Sequence, residues 1–230
     1  MAKLKLVQPR LAPRLARRFA PTIIQEVRSV YDFLVPITTE ELQPRHIETP
    51  TIYCVIHVDG IRYYALYAVF HRFDWSALPW PFKSLDEHQF DLEGILRVFD
   101  INTGLHLWCA SIFHREILFQ ERADPGLAFR IEPAGHGILP PKQVMAGKGS
   151  LDRAHMAVRY PFADGCGDIR PIDRHSWEQD YQQLFNAHGV HCPWQWNDHR
   201  IRDKYGPESD GLIYWDPARL FELAGQLAII

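Results

Sequence analysis

The chain has 230 residues, 47% hydrophobic and 23% charged, with 7 Trp, 9 Tyr and 13 Phe to fill a core. A formal net charge of -3 provides no global basic field for nucleic acid, and 4 cysteines are too few for a disulfide scaffold. No apolar run reaches the roughly 18 residues of a membrane span.

The first twenty residues, MAKLKLVQPRLAPRLARRFA, carry Lys3, Lys5, Arg10, Arg14, Arg17 and Arg18 and no acid. They lack the continuous apolar stretch of a secretory signal, so a cytoplasmic location is expected. Pro9 and Pro13 interrupt any long amphipathic helix. Two readings follow for residues 1–20: a short helix over roughly 11–19 leading into the domain, or a basic arm making peripheral contact with anionic lipid. Residues 21–230 read as one domain.

Residues 51–58 (TIYCVIHV) and 61–70 (IRYYALYAVF) are β-branched and aromatic, and Asp59-Gly60 between them is a strong hairpin signal. The pattern recurs at 92–99 and 105–113 across Asp100-Ile101-Asn102-Thr103-Gly104, with a further strand at 127–132. Successive hairpins predict an antiparallel sheet. Residues 133–175 are rich in Gly and Pro and read as loops over the sheet edges. Ser176 and Gln179 form a capping box for a helix that ends before Gly189, and Asp216-Pro217 opens a last helix. The fold class is therefore mainly β, an antiparallel, jelly-roll-like β-sandwich with peripheral helices near both termini. Cys54 and Cys109 lie in apolar strands and read as buried thiols, whereas Cys166 and Cys192 lie in loop-like sequence, free to pair or to bind metal. The absence of any CxxC argues against a thiolate zinc site.

The chemistry concentrates in residues 71–100, HRFDWSALPWPFKSLDEHQFDLEGILRVFD. Asp91 and Glu93 are two apart and share one face of a strand. His88, three before Asp91, has the wrong parity and joins them only if the chain bulges near Gln89-Phe90. Asp74 reaches the same region from the end of the preceding strand. Carboxylates this close repel one another unless a cation neutralises them, and an oxygen-rich set suits Mg²⁺ or Ca²⁺, with Mn²⁺ also possible. The alternative is a solvated acidic strand end.

The segment HQFDLE resembles the HRHDWE core of the necrosis- and ethylene-inducing-like proteins and the related fungal vacuolar-sorting-associated proteins. The resemblance matches His88, Asp91 and Glu93 to that motif and Asp74 in YALYAVFHRFD to a further metal-binding aspartate. RRFAP at 17–21 and AGHGI at 134–138 are weaker similarities. The resemblance implies a β-sandwich with a divalent cation at one end. Phe90, Leu92 and Glu87 depart from the family's pattern at positions other than the principal ligands.

His136, between Gly135 and Gly137, is the leading candidate outside this cluster, because flanking glycines permit close backbone approach. His114 and Glu116 alternate within SIFHREILF, as a general base and its neighbour or as a polar outward face. His188, His191, Cys192 and His199 accompany Trp194 and Trp196, which read as core packing or as a stacking platform. AGKGS at 146–150 lacks P-loop spacing, and no nucleophile elbow or dinucleotide fingerprint is present. Three functions remain open. The first is a metal-binding sandwich that recognises a small molecule, glycan or lipid head group through a cation held by Asp74, His88, Asp91 and Glu93. The second is a metal-dependent hydrolase or lyase using His136 or His114 as acid/base, in a cavity lined by Trp75, Trp80 and Trp108. The third is a scaffold with a solvated acidic rim.

Overall fold

The computed structural model describes residues 5–37, 49–74, 88–113, 116–121, 126, 128–141 and 156–172. Strands β3 (Thr51–Val58) and β4 (Arg62–Asp74) form the expected hairpin. Gly60 takes φ 100° in the turn, and Asp59 Oδ1 accepts the N–H groups of Ile61 and Arg62 at 2.9 and 2.8 Å. β5 (His88–Asp100) and β6 (His106–Phe113) follow as a second hairpin, and β7 (Glu116–Glu121) extends the meander. The free edge of β3 is divided between β1 (Lys5–Leu6), antiparallel, and β11 (Asp168–Pro171), parallel. The opposing sheet has the order β10 (Met156–Pro161), β2 (Thr22–Val27), β8 (Ala128–Ile131), β9 (Ile138–Leu139), with β2 and β8 parallel.

The core lies between these sheets. Ile23 on β2 and Phe129 and Ile131 on β8 face Ile52, Cys54 and Ile56 on β3, Tyr67 and Val69 on β4, and Ile95 and Phe99 on β5. Leu66, Ala68, Phe70, Leu96 and Val98, of opposite parity, are also buried. Burial on both faces explains why the central strands read as unbroken apolar runs.

Helix α1 (Ala12–Phe19) packs on the sandwich where β4 begins and β5 ends. Ala16 and Phe19 enter the core, and the Phe19 ring stacks on Phe99 at 4.1 Å. The Tyr67 hydroxyl donates to Ala16 O at 2.8 Å. Buried Arg97 donates from Nη1 to Phe19 O at 2.8 Å and Ala20 O at 3.0 Å, answering carbonyls at the helix end. Arg17 ties the helix to Phe162 O and Gly167 O at 2.8 and 3.2 Å.

The helix expected over roughly 11–19 is present. The structure corrects two other expectations. Residues 133–175 are not all loop, since β9, β10 and β11 fall within them. β10 and β11 are largely exposed edge strands, which leaves little hydrophobic alternation to read. His114 and Glu116 do not alternate along one strand, because β6 and β7 are antiparallel partners with Phe113 opposite Glu116. His114 and the Glu116 side chain lie outside the described residues. So do the helices expected after Ser176 and Asp216, the 146–150 turn, Trp75, Trp80, Cys192 and the His188–His199 stretch. Cys54 and Cys109 are buried and free; burial pushes the Cys109 thiol up to about 12. Among the described residues no helix is long and apolar enough to cross a membrane.

Candidate metal centre

At the opposite end of β4 and β5 from α1, the core face changes from apolar to ionisable. His71 stands opposite Asp91 in the β4–β5 ladder, so both project toward the second sheet with Val69 and Ile95. Glu93, one pleat inward from Asp91, is likewise buried. The register is unshifted from Asp74↔His88 to His71↔Asp91, so the bulge needed to bring His88 into parity with Asp91 is absent. The side chains of Asp74 and His88 lie outside the described residues.

Two further segments complete the group. His136, just before β9, is fully buried and contacts two carboxylates: Nδ1 lies 3.2 Å from Asp91 Oδ2 and Nε2 lies 3.1 Å from Asp32 Oδ1. It sits in the left-handed region at φ 48°, as does Ala134 at φ 69°. Such strain costs on the order of 1–3 kcal/mol per residue and persists only when surrounding contacts hold it. The Ala134 N–H donates to Asp32 Oδ1 at 2.9 Å, so the same carboxylate holds the loop and the ring.

Asp32 ends a short 3₁₀ turn capped by Ser29, and its Oδ2 accepts the N–H groups of Arg28 and Ser29, each at 2.7 Å. Burial alone would raise its pKa, but hydrogen bonds from His136, Ala134 and Arg28 outweigh that and hold it at about 2. For His136, burial opposes protonation, but the hydrogen bonds and charges of Asp32 and Asp91 prevail and raise it to about 9. His136 is thus an imidazolium clamped between two anions.

His71 stacks on that ring at 3.7 Å, with the planes 5° apart. Burial first, and the neighbouring His136 charge second, push its pKa well below the ordinary value, so it is neutral. Its Nε2 lies 3.0 Å from Gln25 Oε1, and Gln25 Nε2 donates to Glu26 O at 3.0 Å and Glu132 O at 3.5 Å. That amide orientation places the His71 proton on Nε2. Nδ1, buried, is left as an unprotonated acceptor with no hydrogen-bond partner.

His71, Asp91 and His136 each offer one ligand atom, all within 4.8 Å of one another, so the group can hold a metal ion. The residues fit one chemically. Gln25 and Asp32 each bind the Nε2 of one imidazole, the outer-shell pattern that orients metal-binding histidines; His71 Nδ1 is left for ligation, and His136 Nδ1 would join it where an ion takes the place of its proton toward Asp91. Of the residues expected from sequence, the structure joins Asp91 to His136 and buries Glu93 beside them. His71, Asp32 and Gln25 were not singled out. Only Asp32 had a legible signal, the Ser29-x-x-Asp32 capping pattern.

No protein-family model matches the sequence, and no curated protein matches it. Among solved structures, one described as a toxin fold for microbial attack and plant defense has a TM-score of 0.47 at 11% identity, covering 86% of this chain and 92% of that one. Necrosis and ethylene inducing protein 2 from the causal agent of cocoa's witches' broom disease has a TM-score of 0.44 at 11% identity, with 78% and 80% covered. NLPPya in complex with mannosamine has a TM-score of 0.42 at 10% identity, with 77% and 89% covered. At low sequence identity, the structural neighbours of this chain are therefore necrosis- and ethylene-inducing proteins, the group that HQFDLE resembles.

Proposed function

We propose that this protein is a divalent-cation-binding β-sandwich whose ion, held by His71, Asp91 and His136, recognises a polar head group or glycan. The observation that carries this reading is the buried, otherwise unpartnered His71 Nδ1 beside the Asp91–His136 pair. A divalent ion in place of the His136 proton would lie between His71 Nδ1 and the Asp91 carboxylate, whose negative charge favours it. Two imidazoles and one carboxylate are richer in nitrogen than the oxygen-dominated set expected from sequence, which favours Zn²⁺ or Mn²⁺ over Mg²⁺ or Ca²⁺. The Asp91 side chain is 11% exposed, whereas that of His136 is 0% exposed, so Asp91 marks the side from which a ligand hydroxyl would approach. His136 itself is poorly placed for proton transfer to a substrate, since both its nitrogens are engaged.

Calorimetric titration of EDTA-stripped protein with each of the four ions tests the proposal, followed by amino sugars and phosphorylated head groups with and without ion. One bound Zn²⁺ or Mn²⁺ per chain, and ligand binding only in its presence, are expected. Absence of any stoichiometric ion would overturn the proposal. Ion binding with ion-independent ligand affinity would refute the recognition role.

A further inference from the structure

We infer that the α1 end of the sandwich docks onto an anionic phospholipid surface. Leu11, Arg14, Leu15 and Arg18 fall at i, i+3, i+4 and i+7 and so share one helical face, adjoining the face that buries Ala16 and Phe19: Leu15 packs against the core, and the Arg18 guanidinium lies 5.7 Å over the Phe19 ring. With Tyr63 they line a cavity of about 490 Å³, within the roughly 300–1,000 Å³ range of ligand pockets. Arg14 and Arg18 are one helical turn apart, a spacing at which like charges repel, and neither has a carboxylate partner among the described residues. The acids on the nearby turns stay anionic: Asp59 lies 3.8 Å from the Arg62 guanidinium and accepts from the Tyr64 hydroxyl at 2.7 Å, and Asp100 accepts the Thr103 N–H at 2.7 Å.

Apolar side chains project around this basic pocket from separate segments. Leu6 on β1 is 67% exposed, Leu105 beside the β5–β6 turn 63%, Ile61 in the β3–β4 turn 55% and Leu11 47%. They belong to one end of the molecule. Leu6 pairs with His57 just before the β3–β4 turn, the Ile101 N–H donates to Ile61 O at 3.0 Å, and Arg18 lies against Gly104. Turn tips carrying single aliphatic side chains suit shallow insertion into a bilayer better than the continuous groove that a peptide would need, and arginines between them with no carboxylate partner among the described residues suit lipid phosphates. Arg62 and His71 are nine residues apart on β4, so the candidate metal centre lies on the order of 30 Å from this surface and faces away from it. The inference is independent of the metal reading.

Co-sedimentation of the full chain with phosphatidylcholine vesicles, with and without phosphatidylserine, tests it. Binding is expected only with phosphatidylserine, falling with added salt and unaffected by EDTA. Arg14→Gln with Arg18→Gln should lower partitioning by roughly 5-fold per arginine at an unchanged melting temperature, and Arg14→Lys with Arg18→Lys should restore most of it. Leu11→Ser with Leu105→Ser should weaken binding without altering its salt dependence. Equal binding to both vesicles, no binding, loss of binding on EDTA treatment, or a double glutamine variant that binds like the parent would each overturn the inference.

Discussion

The two ends of β5 bury charge in opposite ways. Near α1, the Arg97 guanidinium is 3% exposed and is met by the carbonyls of Phe19 and Ala20, groups the helix would otherwise leave unpaired. Six residues away, Asp91 contributes to a group in which two carboxylates share one imidazolium, with an acceptor nitrogen of His71 left over. Both lie on the same strand face, between the same sheets. The first arrangement sets a cation against carbonyls that the helix end leaves open and serves the fold. The second gathers a carboxylate and two imidazoles whose ligand atoms lie within 4.8 Å of one another, an arrangement in which a cation would be stabilising.

Substitution should separate these roles. Arg97→Leu orphans two carbonyls at about 1–3 kcal/mol each and should give the largest loss, roughly 3 kcal/mol in urea unfolding, the same with or without metal. A near-neutral result would remove the contrast between the two ends. Asp32→Asn should cost about 2 kcal/mol, because a charge-assisted acceptor of four donors becomes an amide. It should also weaken metal binding by roughly 10- to 100-fold through loss of His136 orientation. His71→Phe keeps ring volume and stacking, and should cost under about 1.5 kcal/mol while abolishing metal-dependent stabilisation. Metal stabilisation that survives in this variant would move the ion away from His71.

A pH profile of the metal-free protein tests the buried charge itself. His136 lies above its ordinary 6.5, so its stabilising contribution is complete below that value and is lost as pH rises through about 9. Asp32 lies below its ordinary 3.8, so its contribution is complete above that value and is lost as pH falls toward about 2. Melting temperature should therefore decline above pH 6.5. The decline should shrink in Asp32→Asn, where Asp91 alone remains to hold the imidazolium.

The architecture was legible where hydrophobic pattern and turn chemistry coincide. Asp59-Gly60 and Asp100–Gly104 marked the hairpins, and the short helix before Ala20 emerged from a stretch with prolines near its start. Asp91 and His136 were also legible, from strand parity and from a histidine among glycines, although His136 and Ala134 adopt positive φ rather than the flanking glycines. His71 was not, because its pairing with Asp91 depends on a register set across residues 75–87, which hydrophobic alternation does not specify. Gln25 was hidden for another reason: it is a polar residue at an inward position of the alternating strand β2, and only the opposite sheet explains it.

The most direct measurement is zinc-edge anomalous scattering from crystals of the full chain grown with Zn²⁺. The account predicts one peak about 2.1 Å from Nδ1 of both His71 and His136 and beside the Asp91 carboxylate. The two rings should be rotated out of their 5° stack, since lone pairs in parallel planes 3.7 Å apart cannot both point at one ion. A peak among Asp74 and His88 instead, or a stacked pair with no peak beside it, would contradict the account.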